Sequence, residues 1–211
     1  MDFDGLIFDL DGTLWDCSAA SAEAYNQTHE SFGIAKRVSA EFVQSISGRP
    51  SSECDEILLA EFPVELREAA LKSFDDLELA AIRRYAPHSL YLGVESGLGL
   101  LRARYRLLVV SNCGESYLDV FHRHAPVGGL FSDSESYGRT KRLKHENIRS
   151  VVERQGLKCP CYIGDTAGDE YAAALAGVPF FYVSYGFGKP NGVPQAEFQS
   201  FEELVGYFGA T

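Results

Sequence analysis

The segment Asp9-Leu10-Asp11-Gly12-Thr13 sets two carboxylates two residues apart at the end of a short apolar run, Leu6-Ile7-Phe8. In extended backbone, side chains two apart share a face. Two unpaired carboxylates beside a buried strand repel each other unless a cation stands between them. Just past the strand they can be splayed onto separate tasks, and Gly12 lets the backbone turn tightly there. The carboxyl end of a strand is where open α/β sheets place ligands. A plain strand-to-turn boundary with Asx-type caps would leave the repulsion unanswered.

Three more polar groups fall at the same level of the predicted sheet. Ser111-Asn112 ends a second apolar run, Gly164-Asp165 ends a third with Asp169 four residues on, and Lys144 opens the helix before that third run. Each has an ordinary reading alone. Ser111 can be a turn residue, Asp165 a helix cap, Asp169 a first-turn acid favoured by the helix dipole, and Lys144 one solvated charge of the run Arg139–Lys144. Together they put acid, hydroxyl, cation and acid again at successive strand ends.

The elements that must hold these groups follow from the pattern. Short continuous apolar runs at Leu6–Phe8, Arg106–Ser111, Cys161–Asp165 and Pro179–Ser184, with a weaker one at Gly129–Ser132, suit strands buried on both faces of a parallel sheet. Helical spacing lies between them: around Leu98 and Leu101, over Glu115–His124, over Lys144–Gln155 with Gly156 as a stop, and over Asp169–Leu175. This alternation predicts an α/β fold with a doubly wound parallel, Rossmann-like sheet. Residues 15–88 break the rhythm. Ala19–Phe32, Glu41–Ile46 and Ser52–Leu59 read as helices, and Leu66, Ala70, Phe74, Leu77, Ala81 and Tyr85 recur on one helical face. The expected organisation is a catalytic core of residues 1–14 and 89–211 with an inserted all-helical cap, 15–88; one long helical excursion packed on the sheet is the competing reading.

Composition narrows the partners. The 211 residues carry 19 Lys+Arg against 30 Asp+Glu, a net charge of −11, which disfavours nucleic acid and anionic membranes. No stretch reaches the roughly 20 apolar residues of a membrane helix. The acidic start, Met1-Asp2-Phe3-Asp4, does not resemble an export signal, and five scattered cysteines do not form a disulfide framework. The expectation is a cytoplasmic protein with reduced thiols, a monomer or weak homodimer. His122 and His124 lie on different faces of a predicted helix, and Cys113 has no histidine placed beside it by sequence. Neither suggests a metal pair or a thiol nucleophile.

Asp-x-Asp-Gly-Thr, Ser-Asn, a lysine and Gly-Asp-x-x-x-Asp, in this order, resemble the four motifs of the haloacid dehalogenase superfamily. The helical insertion resembles the cap of its phosphoglycolate phosphatase and β-phosphoglucomutase members. For the third motif Lys141 and Lys144 compete; Lys144 leads directly into the predicted helix, though followed by His145 where the family often has proline. The resemblance implies that Asp9 is a nucleophile on phosphorus and Asp11 the general acid and base. It implies a Mg²⁺ held by the Asp9 carboxylate, the Asp11 carbonyl and the Asp165 carboxylate. Ser111, Asn112 and Lys144 would hold phosphoryl oxygens, and Asp169 would orient Lys144 or a metal-bound water, or replace Asp165 as ligand. Thr13 would fix the turn. A carboxyl two residues after the nucleophile implies a phosphate ester of a small molecule as substrate, hydrolysed or, as in the phosphomutases, isomerised. Arg49, in Ser47-Gly48-Arg49-Pro50, resembles the cap-loop residue that reaches a leaving group. Trp15 is expected at the hinge or pocket wall, and Tyr185–Gly188 at the rim.

Overall fold

The computed structural model describes residues 3–210; Met1 and Asp2, at the acidic start, lie outside them. Five parallel pairings build a six-stranded sheet in the order β3-β2-β1-β4-β5-β6. The strands are β1 (Gly5–Phe8), β2 (Arg106–Ser111), β3 (Asp133–Ser136), β4 (Pro160–Gly164), β5 (Phe180–Val183) and β6 (Glu197–Phe198). Alternate residues of each strand feed opposite faces. Leu6, Phe8, Leu107, Val109, Ile163 and Phe181 join one apolar cluster; Ile7, Leu108, Val110, Tyr162 and Phe180 join another. A sheet covered on both sides needs apolar residues at every position, which is why these runs are continuous.

Helices α5 (Val94–Leu101), α6 (Glu115–His124) and α10 (Phe201–Ala210) bury Leu98, Leu118, Phe121, Phe201 and Leu204 in the first cluster. Helices α8 (Lys144–Gln155) and α9 (Ala167–Ala176) cover the second with Ile148, Val151, Ala172 and Ala173. Gly156 and Gly177 end them in left-handed conformation. A short α7 (Tyr137–Thr140) precedes α8.

Between β1 and α5 come α1 (Ser18–Ser31), α2 (Ala40–Ile46), α3 (Ser51–Leu58) and α4 (Arg67–Tyr85), with no strand among them. They have apolar clusters of their own, one built on Ala24, Tyr25, Val43, Ile46, Leu58 and Phe74 and one on Leu59, Phe62 and Ala70. The two ends of the insert are continuous with the main core, through Leu14, Trp15, Cys17 and Ala20 on one side and Ala81, Ile82 and Ala86 on the other. No helix of the described residues is long and apolar enough to cross a membrane. All five cysteines are free thiols.

One expected strand is misplaced. Gly128–Leu130 form a single 3-10 turn, and the edge strand β3 begins at Asp133. Its sequence, Asp-Ser-Glu-Ser, carries no apolar signal. The strand is held instead by backbone pairing to β2 and by Arg154 of α8, which forks onto Asp133 and reaches Glu135 at 2.9 Å.

Candidate active site

Parallel pairing in register decides which distant residues meet. Phe8 stands level with Val109 on one side and Ile163 on the other, and the Asp9 amide donates to the Ile163 carbonyl at 2.9 Å. The residues at and just past the strand ends, Asp9–Gly12, Ser111–Asn112 and Asp165, therefore emerge at one edge. β1 has β2 on one flank and β4 on the other, so its crossovers diverge and leave a crevice at its carboxyl end.

Asp9, Asp165 and Asp169 are all buried, and each offers a carboxylate oxygen such that the three lie within 4.8 Å of one another. Lys144, 5% exposed, donates to Asp9 Oδ1 at 2.9 Å and to Asp169 Oδ1 at 2.7 Å. Burial works against the ammonium, yet the attraction of Asp169 and Asp9 holds Lys144 above the usual lysine range. Lys141 is placed otherwise. It ends α7 in left-handed conformation and lies over the Tyr137 ring.

The three acids have different surroundings. Asp169 is saturated with donors: Lys144 and the Tyr162 hydroxyl at Oδ1, the Asp165 and Thr166 amides and the Thr166 hydroxyl at Oδ2. The last two belong to a reciprocal cap of α9, whose Thr166 oxygen accepts from the Asp169 amide at 3.2 Å. Asp165 accepts from the Thr13 hydroxyl at 3.3 Å and from the Phe187 amide at 2.7 Å. Burial, then the charge of Asp169, pushes Asp165 up to about 7. Burial and Asp169 likewise raise Asp9, against the pull of Lys144; its second oxygen, Oδ2, accepts no hydrogen bond from the described residues.

Asp11 sits apart from that cluster. Its Oδ1 accepts from the Trp15 indole at 2.9 Å and the Tyr117 hydroxyl at 2.5 Å. Burial raises it to about 6, and those two donors restrain the rise. Trp15 is fully buried and packs edge-on against Tyr117 and Phe121, so it holds Asp11 from beneath and does not line the pocket. Gly12, at φ +81°, brings the backbone against Asp165; a Cβ there would overlap that carboxylate.

A pocket of about 120 Å³ opens above Asp9 and Asp11 and touches Ser111, Asn112, Lys144, Arg49 and Phe187. Ser111 is buried and its oxygen accepts from the Cys113 amide at 3.3 Å. Asn112 ties the core to the insert: its side-chain amide donates to the Gly48 carbonyl at 2.7 Å, and its own carbonyl accepts from the Ser51 amide at 3.0 Å. Arg49 is exposed, in the loop so held, and borders both this pocket and a neighbouring groove with Lys189. Tyr185 donates to the Thr13 carbonyl at 2.8 Å, and the next residues complete the rim. His122 is occupied by the Gly128 carbonyl and Ser134, and Cys113 is a half-buried thiol whose pKa desolvation pushes up.

Sequence reading missed Tyr117, Phe187's amide and the pocket wall supplied by the insert. One signal was available. Glu78 lies four residues after Phe74 and three before Ala81, a carboxyl in the apolar stripe of α4.

A family model, haloacid dehalogenase-like hydrolase, matches residues 6–183. The chain belongs to the haloacid dehalogenase-like hydrolase family, and it is an enzyme of the phosphatase type. More particularly, it is 29% identical over 209 residues to a plasmid-borne phosphoglycolate phosphatase of Cupriavidus necator, covering 89% of this chain and 83% of that one. In fold it is similar to a haloacid dehalogenase-like hydrolase from Streptococcus pneumoniae, with TM-score 0.83, 20% identity, and 98% and 99% of the two chains covered. It is also similar to a predicted phosphoglycolate phosphatase from Haemophilus somnus, with TM-score 0.81, 22% identity, and 98% of each chain covered.

Proposed function

We propose that this enzyme is a Mg²⁺-dependent phosphatase that hydrolyses a small phosphorylated metabolite through an aspartyl-phosphate at Asp9. The supporting observation is the contrast between Asp9 and Asp11, two carboxyls two residues apart in opposite surroundings. Asp9 keeps one oxygen on Lys144 and the other free for attack. Asp11, restrained by Tyr117 and Trp15 and near 6, can give or take a proton close to neutral pH.

In this reading Asp9 Oδ2 forms a bond to phosphorus as the ester P–O bond breaks, and Asp11 passes its proton to the leaving oxygen. Asp11 then takes a proton from water as the water oxygen bonds to phosphorus, and the acyl-phosphate P–O bond breaks to release inorganic phosphate. Lys144, Ser111 and Asn112 hold the phosphoryl oxygens, and Arg49 reaches the substrate from the mouth. Asp169 holds Lys144 in place. The donor set fits a hard divalent cation, because one lysine pairs with only two of the three buried carboxylates, Asp9 and Asp169, and the cluster stays under-neutralised. Asp9, Asp165 and the Asp11 carbonyl would hold it; Asp169, already saturated, would not. When bound, Mg²⁺ supplies charge relief between the Asp9 carboxylate and an anionic phosphate.

The test is turnover of p-nitrophenyl phosphate with Mg²⁺. Asp9→Asn abolishes it, EDTA removes it and Mg²⁺ restores it; full turnover by the variant would rule out Asp9 as nucleophile. Inorganic phosphate from metabolite monoesters separates hydrolysis from a sugar phosphomutase, which the closed Asn112–Gly48 contact would equally permit and which would yield an isomer.

A further inference from the structure

Beyond Asp9 and Asp11 the pocket runs on into the helical insert, where the leaving group of a bound ester would lie. Its far wall carries Ser21 and Tyr25 from α1, Asp55 from α3, and Phe74 and Glu78 from α4. Glu78 accepts from the Ser21 hydroxyl at 2.6 Å, and the Tyr25 and Phe74 rings stack with centroids 3.7 Å apart. This wall is rich in hydrogen-bond acceptors and acid.

Among the described residues neither Asp55 nor Glu78 is in an ion pair. Both feel the crowding. Burial raises Glu78 to about 8, against the Ser21 hydrogen bond and with Asp11, Asp75 and Asp55 adding repulsion; burial with Asp75 raises Asp55 to about 6, against the pull of Lys141. The two cations of the pocket are elsewhere. Lys144 is shared between Asp9 and Asp169 at the phosphoryl end, and Arg49 is exposed at the mouth, facing the Lys189 groove as well. A leaving group with a second anionic group would meet two acids and no cation to pair with at this end of the pocket. One carrying a cation would pair with them, beside an aromatic surface that also favours cations.

We propose that the leaving alcohol of the substrate carries a protonated amine and no second anionic group, the amine being received by Glu78 and Asp55 beside the Tyr25–Phe74 pair. The ionised Asp55 balances the charge of the ammonium, and Glu78 accepts a hydrogen bond from it. The inference rests on the phosphatase reading of Asp9 and Asp11, and it sets this chain apart from a phosphoglycolate substrate, whose leaving group bears a carboxylate.

The test compares phosphate release from O-phosphoethanolamine, 2-phosphoglycolate and ethyl phosphate by the full chain with Mg²⁺, with p-nitrophenyl phosphate as the control for phosphatase activity itself. We expect kcat/KM for the amine ester to exceed that for phosphoglycolate by about tenfold or more, the discrimination equal to one unit on the pKa scale. Ethyl phosphate falls between them. Glu78→Gln and Asp55→Asn should each lower the amine-to-carboxylate ratio by about threefold or more. The ratio is read within each variant, so a general loss of activity does not imitate the effect. If Glu78→Gln does not fold, the wild-type ranking and Asp55→Asn carry the test. Equal or reversed preference in the wild type, or a ratio untouched by the substitutions, overturns the inference. p-Nitrophenyl phosphate turned over with phosphoglycolate preferred sinks the inference alone; no turnover of any ester sinks the phosphatase reading with it.

Discussion

Replacing Lys144 by Met takes the ammonium out of the acid cluster while keeping a side chain of similar length. Lys144 Nζ lies 2.9 Å from Asp9 and 2.7 Å from Asp169, and Asp165 completes three buried carboxylates within 4.8 Å. Removing one partner of a buried ion pair costs about 3–5 kcal/mol. Two acids are left behind here, so a loss of about 4–5 kcal/mol is expected at pH 7.5 in metal-free buffer. The loss should carry a pH signature. Burial and Asp169 already hold Asp9 above the ordinary carboxylate range, and push Asp165 to about 7. A carboxyl so raised keeps a proton in the folded state that the unfolded chain, near 3.9, releases. Folding therefore weakens as pH rises from about 4 toward 7. Without Lys144 both groups rise further, so the gap between variant and wild type widens with pH and narrows toward pH 5. Mg²⁺ should narrow it too, by replacing the missing positive charge. Urea unfolding followed by circular dichroism, at pH 5 and 7.5 with and without Mg²⁺, measures all of this. A loss under about 1 kcal/mol at pH 7.5, within the range of an exposed pair, would refute the reasoning. So would an equal loss at both pH values.

Other substitutions probe the neighbours. Tyr117→Phe removes a hydrogen bond that holds Asp11 down, so the limb of kcat/KM on which a general acid deprotonates should move to higher pH; an unmoved limb would separate Asp11 from that role. Gly12→Ala forces a side chain into a left-handed position against the Asp165 carboxylate, and should cost at least about 1–2 kcal/mol of stability in thermal unfolding. Arg49→Ala should alter the ranking of metabolite esters more than it slows p-nitrophenyl phosphate, and equal losses on both would remove Arg49 from specificity.

Much of the frame is legible in the chain. Continuous apolar runs mark β1, β2, β4 and β5 because a sheet covered on both faces leaves none of their positions in water except Arg106 at the start of β2. Lys144–Gln155 reads as a helix to the residue, since its apolar face and Gly156 define it locally. The edge strand β3 escaped because backbone pairing and Arg154 hold it, and neither leaves a pattern in Asp-Ser-Glu-Ser. The wall of the pocket escaped for another reason: Glu78 is a surface-type residue whose burial depends on α1 packing against α4.

The amino-acid order by itself determined which groups can do chemistry here and at what level of the sheet they emerge, because side-chain type, strand ends and turn glycines are local properties. Only the tertiary structure decided how each of those groups is charged and what it serves. Lys144 faces two acids and Lys141 a tyrosine ring, Asp169 is filled by donors while Asp9 keeps an oxygen free, and Asp11 leans on Trp15 and on Tyr117 from 106 residues away. Protonation and reach are set by burial and by the nearest charges, and those neighbours come from segments far apart in the chain.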